Sequence, residues 1–121
     1  MITFFDSNIF VHALDFSEPD KRLKAIARIE QGRTEGTVAL STQVLHEVYS
    51  ICRRKLKPEL PHDVAAKAVR HLCEFMMLGS NAVSVQSALT LVQQHQLGWG
   101  DALILEAAMR ADADLLVSED G

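Results

Sequence analysis

The chain opens on an apolar run, Ile2 to Val11, that is broken by a single carboxylate. The run is rich in β-branched and aromatic residues, which is typical of a strand buried on both faces of a parallel sheet. Asp6 interrupts it, and Ser7 and Asn8 follow, which are small polar residues of the kind that end strands and start turns. A carboxylate in an apolar strand is costly unless something pairs with it. Because ligands collect beyond the carboxyl ends of strands in open α/β sheets, Asp6 stands where a binding site is expected.

Strands and helices alternate along the rest of the sequence. Three further strands are predicted at Thr37–Leu40, Ala82–Val85 and Ala113–Val117, and a polar connector at 12–17. The patterns between the strands are helical, and their caps and breakers place the helices at about 18–32, 42–57, 61–79, 87–96 and 101–111. This alternation predicts an α/β fold, a three-layer sandwich with a mostly parallel central sheet and helices on both faces. The length of 121 residues favours one domain, 1–121.

Charge and cysteine usage narrow the class of protein. The net charge is −4, which does not suit a protein that coats nucleic acid by charge alone. A nucleic-acid substrate would therefore require local positive charge, from bound metal or from a basic patch. The opening run has no basic residue before it and contains Asp6, so it is predicted to be neither a signal peptide nor a membrane span. Cys52 and Cys73 lie in helical patterns and are predicted to be reduced core or half-buried thiols of a cytoplasmic protein.

Three more acidic residues occupy strand-end positions. Glu47 lies one to two turns into the helix after the second strand, Asp101 opens a helix after Gly98-Trp99-Gly100, and Asp120 follows the last strand. A doubly wound sheet can bring all of them to the crevice that Asp6 marks. Clustered carboxylates repel one another, and hard cations such as Mg²⁺ or Mn²⁺ relieve that repulsion. Such a site can activate water and stabilise charge on a phosphodiester.

Taken singly, the acidic residues could also have purely structural roles, and the sequence alone does not decide between these roles and a site. Asp6 is compatible with an ordinary turn, and Asp101 with a helix N-terminal charge favoured by the dipole. Glu47 alone would usually be a solvated helix residue. The four acidic residues all occupy strand-end positions, and this favours a shared metal-binding site over four separate structural roles.

Four motifs in this order resemble the PIN domain, and most of all its toxin type, the VapC family of toxin–antitoxin ribonucleases. The resemblance covers the whole chain. The motifs are Phe5-Asp6-Ser7-Asn8, Ser41-Thr42-Gln43-Val44-Leu45-His46-Glu47, Trp99-Gly100-Asp101-Ala102-Leu103-Ile104 and Leu116-Val117-Ser118-Glu119-Asp120-Gly121.

The resemblance implies a metal-dependent endoribonuclease that hydrolyses RNA with Mg²⁺ or Mn²⁺. It implies that Asp6, Asp101 and Asp120 bind the metal and that Glu47 binds metal or orients the water. Asn8 and Ser118 match the supporting polar positions of the family. It also implies a homodimer and a cognate antitoxin that blocks the toxin, with no membrane partner.

The sequence departs from the family at its end. Members usually continue past the final Asp-Gly motif into a further short strand, so the resemblance implies that this strand is missing here. Glu119 then competes with Asp120 as the fourth acidic ligand.

One basic residue is a further candidate for RNA binding. Arg54 lies seven residues beyond Glu47, which is two helical turns on the same face, and we expect it to help hold RNA phosphates. Two alternatives stay open. One is a catalytically inactive PIN-fold module that binds a protein partner or RNA. The other is a phosphatase of the haloacid dehalogenase type, which would want a second Asp where this chain has Asn8.

Overall fold

The computed structural model describes residues 1–118. Over these residues the chain forms a four-stranded parallel sheet in the order β3-β2-β1-β4, together with six helices. The elements are β1 (Ile2–Phe5), α1 (Ser7–Leu14), α2 (Pro19–Glu35), β2 (Thr37–Ser41), α3 (Thr42–Arg54), α4 (His62–Leu72), β3 (Met76–Leu78), α5 (Ala82–His95), α6 (Trp99–Arg110) and β4 (Leu115–Val117). Across the described residues, every helix is too short or too polar to cross a lipid bilayer.

The two central strands of the sheet are covered on both faces. Successive residues of a strand point to opposite faces, yet Phe4 and Phe5 of β1 both have no exposed surface. Ala39 and Leu40 of β2 are also completely buried. The predicted fold class is therefore confirmed: an α/β sandwich with an apolar sheet between helical layers.

The strand order puts a crevice beside β1. The chain moves from β1 outwards to β2 and β3, and then returns across the sheet to β4 on the other side of β1. Such a reversal is the topological switch point at which ligands of open α/β sheets bind. The carboxyl ends of β1 and β4 are joined there, because the Asp6 N–H donates to the Val117 carbonyl at 2.9 Å.

The opening run does not form a single strand. β1 ends at Phe5, and the apolar residues that follow belong to α1, including much of the segment 12–17 predicted as a connector. The Asp6 carboxylate accepts a hydrogen bond from the Ser7 N–H at 2.6 Å and so caps α1. N-terminal capping therefore turns the chain into a helix, despite its β-branched composition.

The strand predicted at Ala82–Val85 is wrong, since these residues form the first turn of α5. Asn81 and Ser84 form a capping box in which Asn81 Oδ1 accepts from the Ser84 N–H at 2.9 Å and the Ser84 hydroxyl accepts from the Asn81 N–H at 2.8 Å. The third strand lies earlier, at Met76–Leu78, within the segment predicted as the third helix. Its backbone pairs with β2 in the register Ala39↔Met76.

Three smaller differences concern boundaries and burial. α2 continues past Gly32 to Glu35, and α6 begins at Trp99 rather than at Asp101. Both cysteines are free, but Cys73 is exposed instead of half-buried.

Candidate active site

Asp6 is held rigidly at the carboxyl end of β1. Its carboxylate accepts from the Ser7 N–H at 2.6 Å and from the Ser7 hydroxyl at 3.3 Å. Its own N–H is bonded to β4 through Val117. The side chain is partly exposed, so the second carboxylate oxygen can face the crevice while the first serves as a cap.

Glu47 reaches the same place from α3. Ser41 caps this helix by accepting from the Val44 N–H at 3.3 Å, which fixes the first turn directly after β2. Glu47 follows in the second turn and is partly buried, and its Oε1 is a buried oxygen with no hydrogen-bond partner among the described residues. A buried carboxylate oxygen without a partner is costly, so it marks a position where a ligand or water is expected.

Asp101 comes from the first turn of α6, whose N-terminus faces Glu47. A Cβ added at Gly100 would lie 3.9 Å from Glu47 Oε2, and one added at Gly98 would lie 4.0 Å from Asp101 Oδ2. Two glycines therefore leave space beside the two carboxylates. The positive end of the α6 dipole also favours negative charge at this position.

The charges of Asp6 and Asp101 act on Glu47. Burial raises the pKa of the Glu47 carboxyl, and the negative charges of Asp6 and Asp101 raise it further. The nearby polar side chains of Ser7 and Gln43 oppose part of this rise in the pKa of Glu47. The structure thus brings together Asp6, Glu47 and Asp101, which are distant in sequence.

Replacing Glu47 with Gln is expected to stabilise the fold at neutral pH. Because the pKa of Glu47 is raised in the folded state, its ionisation opposes folding, and stability is lost as the pH rises through the folded pKa. We expect the Tm of Glu47→Gln to exceed that of the wild type at pH 7. Below the ordinary glutamate pKa of 4.5, where the carboxyl is protonated in both states, the difference should disappear.

Thermal unfolding followed by circular dichroism across this pH range measures the effect. Glu59→Gln, at an exposed position outside the ion pairs of the described residues, provides the matched control and should show no such pH-dependent gain. A Tm difference between wild type and Glu47→Gln that stays constant with pH would contradict the assignment of the shift to ionised Glu47.

The donor set fits a hard divalent cation. Carboxylate oxygens are the ligands that Mg²⁺ and Mn²⁺ prefer, and the unpartnered Glu47 Oε1 is available to one. Within residues 1–118, no three acidic, histidine or cysteine side chains are close enough together to hold an ion by themselves. A cation at this position would thus need further ligands, such as water, phosphate oxygens or residues beyond 118.

The other predicted site residues are more scattered. Asn8 is exposed in the first turn of α1, Ser118 is exposed directly after β4, and Arg54 is exposed as the last residue of α3. Asp120, with its competitor Glu119, lies outside the described residues.

Sequence reasoning missed Gln43 as a polar group beside Glu47. Ser7, which follows the first strand as a turn or cap residue would, is also buried, donates its N–H and its hydroxyl to the Asp6 carboxylate and lies near Glu47. Gln43 lies four residues before Glu47 on the same helix, a spacing that puts two side chains on one face. That spacing was the signal that could have identified Gln43. The buried Cys52 is not a nucleophile candidate, because burial raises the pKa of its thiol to about 11.

Comparison with known proteins agrees with this architecture. The family model of the PIN domain matches residues 3–121. A search of curated proteins gave no significant match.

Solved structures share the fold at low sequence identity. A toxin–antitoxin complex from Klebsiella pneumoniae aligns with a TM-score of 0.73 and 19% identity over 95% of this chain and 84% of that one. VapBC2 from Rickettsia felis, bound to a DNA fragment from its promoter, aligns with a TM-score of 0.66 and 20% identity over 99% and 100%. VapC20 from Mycobacterium tuberculosis, a toxin that cleaves the sarcin–ricin loop, aligns with a TM-score of 0.74 and 17% identity over 98% and 90%.

Proposed function

The chain belongs to the PIN domain family, and we propose that it is a metal-dependent endoribonuclease, the toxin of a toxin–antitoxin pair. One observation carries the proposal. Asp6, Glu47 and Asp101 all lie beside the switch point of the sheet, where the charges of both aspartates act on Glu47 and Glu47 keeps a buried oxygen without a partner among the described residues. Membership of a family with structural relatives among toxins supports the nuclease function, and the acidic site supports the metal.

The proposed cation is Mg²⁺ or Mn²⁺, held by Asp6, Asp101 and Asp120, with Glu47 as a further ligand or as the residue that orients water. When bound, the ion supplies charge neutralisation among the carboxylates, a lower pKa for water and stabilisation of charge on the phosphodiester. Carboxylate oxygens suit both ions.

The protein side chains supply position and proton handling. Ser7 fixes one Asp6 oxygen, so the orientation of that carboxylate is set before substrate binds. Glu47 has a raised pKa, and its unpartnered Oε1 is suited to accept a hydrogen bond from the attacking water. Gly98 and Gly100 leave the neighbouring space free of side chains.

The remaining predicted residues are proposed to assist. Asn8 and Ser118 flank the carboxyl ends of β1 and β4 and support the acidic residues. Arg54, at the end of α3, is proposed to contact RNA phosphates, since it is exposed and lies on the helix that carries Glu47.

The proposed partners are RNA, a cognate antitoxin and a second copy of the chain, in the cytoplasm. Structural relatives that are toxin–antitoxin complexes support the antitoxin. Exposed apolar side chains on α5 and α6, namely Val83, Leu89 and Met109, are compatible with a homodimer. Light scattering of the purified protein measures its mass in solution.

Incubation of the purified protein with cellular RNA tests the function. Discrete fragments are expected with Mg²⁺ or Mn²⁺, and we expect no fragments after chelation, because the carboxylates alone repel the phosphodiester. Circular dichroism before and after chelation tests whether the fold is unchanged. A folded protein that binds metal by calorimetry and leaves RNA intact would instead be a binding module. Cleavage that persists in chelator would contradict the metal-dependent mechanism.

A further inference from the structure

A groove with three cations lies next to the acidic site. Its outer wall is one face of α2, with Lys21, Lys24 and Arg28, and its inner wall is formed by Ile9, Val117 and Ser118. We call it the basic groove, and it encloses about 350 Å³.

The inner wall joins the basic groove to the acidic site. Val117 is the residue whose carbonyl accepts from the Asp6 N–H at 2.9 Å. Ile9 lies within the first turn of the helix that Asp6 caps. The basic groove is therefore lined by residues next to those that position Asp6.

The cations are available for an anionic ligand. Within residues 1–118, Lys21, Lys24 and Arg28 take part in none of the ion pairs, which involve Arg33, His71 and Arg110. Lys21 and Lys24 are exposed. The Arg28 guanidinium lies 5.5 Å from the ring centroid of the buried Phe5, which anchors the wall of the groove to the core.

The spacing of the cations favours a polymer over a small anion. Lys21, Lys24 and Arg28 recur at intervals of three and four residues, which puts them on one helix face. Their span is roughly 10 Å at about 1.5 Å per residue, longer than one phosphate group. The chain as a whole carries a net charge of −4, so this local reversal of sign can direct a polyanion to the groove.

We infer that the basic groove binds the sugar–phosphate backbone of single-stranded RNA through Lys21, Lys24 and Arg28 and thereby directs the strand into the acidic site. The inference rests on the proposed ribonuclease function and adds a binding track to it. A positively charged groove that follows the backbone is how proteins hold single strands without reading sequence. Ser118, which directly follows β4, also lines this groove.

Salt-dependent RNA binding tests the inference. The variant Lys21→Gln/Lys24→Gln is compared with Lys67→Gln/Arg70→Gln, which removes two exposed cations from α4. Both are made in an Asp6→Asn background so that labelled poly(U) stays intact during the titration. Losing two phosphate contacts should weaken binding on the order of tenfold at about 0.15 M salt and reduce the slope of log affinity against log salt by about 1.4. Lys67→Gln/Arg70→Gln should keep the same slope of log affinity against log salt as Asp6→Asn alone. Circular dichroism tests whether each variant is folded.

The outcomes separate the basic groove from the nuclease function. If wild type cleaves RNA but both double variants bind poly(U) with the same slope, the groove inference is overturned and the function stands. If wild type does not cleave, but the groove variant alone loses poly(U) affinity, the track stands and the nuclease function fails. A parallel titration uses poly(glutamate). If the groove variant loses affinity for poly(glutamate) and not for poly(U), the groove binds an acidic protein segment and the inference is wrong.

Discussion

Asp6→Asn is expected to reduce RNA cleavage on the order of 10²–10³-fold, the range for removing one group that stabilises transition-state charge. The substitution removes a charged oxygen ligand while keeping the size of the side chain. Asn caps helices as well as Asp does, so α1 should still begin at Ser7. Initial rates of fluorescent RNA cleavage with Mg²⁺, together with Tm, measure the two properties separately.

Asp63→Asn is the matched control for this experiment. Asp63 is exposed in the first turn of α4 and has the same helix-dipole environment without the neighbouring carboxylates. We expect its cleavage rate to equal that of the wild type. Full activity of Asp6→Asn would rule out Asp6 as a residue of the catalytic site.

Phe5→Ala is expected to destabilise the fold by about 3–5 kcal/mol, the range for a buried Phe truncated to Ala. Phe5 has no exposed surface and packs edge-on against Phe10, with ring centroids 6.0 Å apart. Its ring also fills the space opposite Gly32, where an added Cβ would come within 3.0 Å of it. Since domains of this kind are stable by only about 5–15 kcal/mol, the variant should unfold far below the Tm of the wild type. Urea denaturation followed by circular dichroism gives the free energy of unfolding.

Phe16→Ala provides the comparison, because the Phe16 side chain is 61% exposed. Its ring contacts the Arg22 guanidinium at 4.4 Å, an interaction worth about 0.5–1 kcal/mol at an exposed site. We therefore expect a loss of at most about 1 kcal/mol. Equal losses for the two variants would mean that Phe5 does not anchor the core as described.

The sequence predicted the architecture because its strongest signals are local. The apolar runs Thr37–Leu40 and Ala113–Val117 predict strands, and both lie in the sheet, the first as the buried β2 and the second as the shorter and largely exposed edge strand β4. Asp6 was also correctly placed at the end of a strand. These features depend on composition over a few residues, which is visible without knowing the fold.

The wrong helix and strand assignments fall where strand pairing or helix capping decides between a helix and a strand. Met76–Leu78 continues a helical pattern, and only its bonds to β2 make it a strand. Ala82–Val85 has strand composition, but the capping box of Asn81 and Ser84 commits it to α5. The Asn-x-x-Ser capping pattern is visible in the sequence, but the two valines of the segment favoured a strand.

The acidic site was predictable only as a set of separate positions. That Asp6, Glu47 and Asp101 meet depends on the strand order and on α6 presenting its N-terminus at the switch point. The buried, unpartnered oxygen of Glu47 and the part played by Ser7 depend on packing. Neither feature can be predicted from a local sequence pattern.

The pairing of β1 with β4 has a consequence for biosynthesis. The Ile2 N–H donates to the Asp114 carboxylate and the Asp6 N–H donates to the Val117 carbonyl, so β1 pairs with a strand that is translated more than a hundred residues later. Helices α1 to α4 can pack while translation continues, because their contacts are closer in sequence. The edge of β1 must wait for β4. The nascent chain therefore keeps its carboxylate crevice open on one side until β4 has emerged.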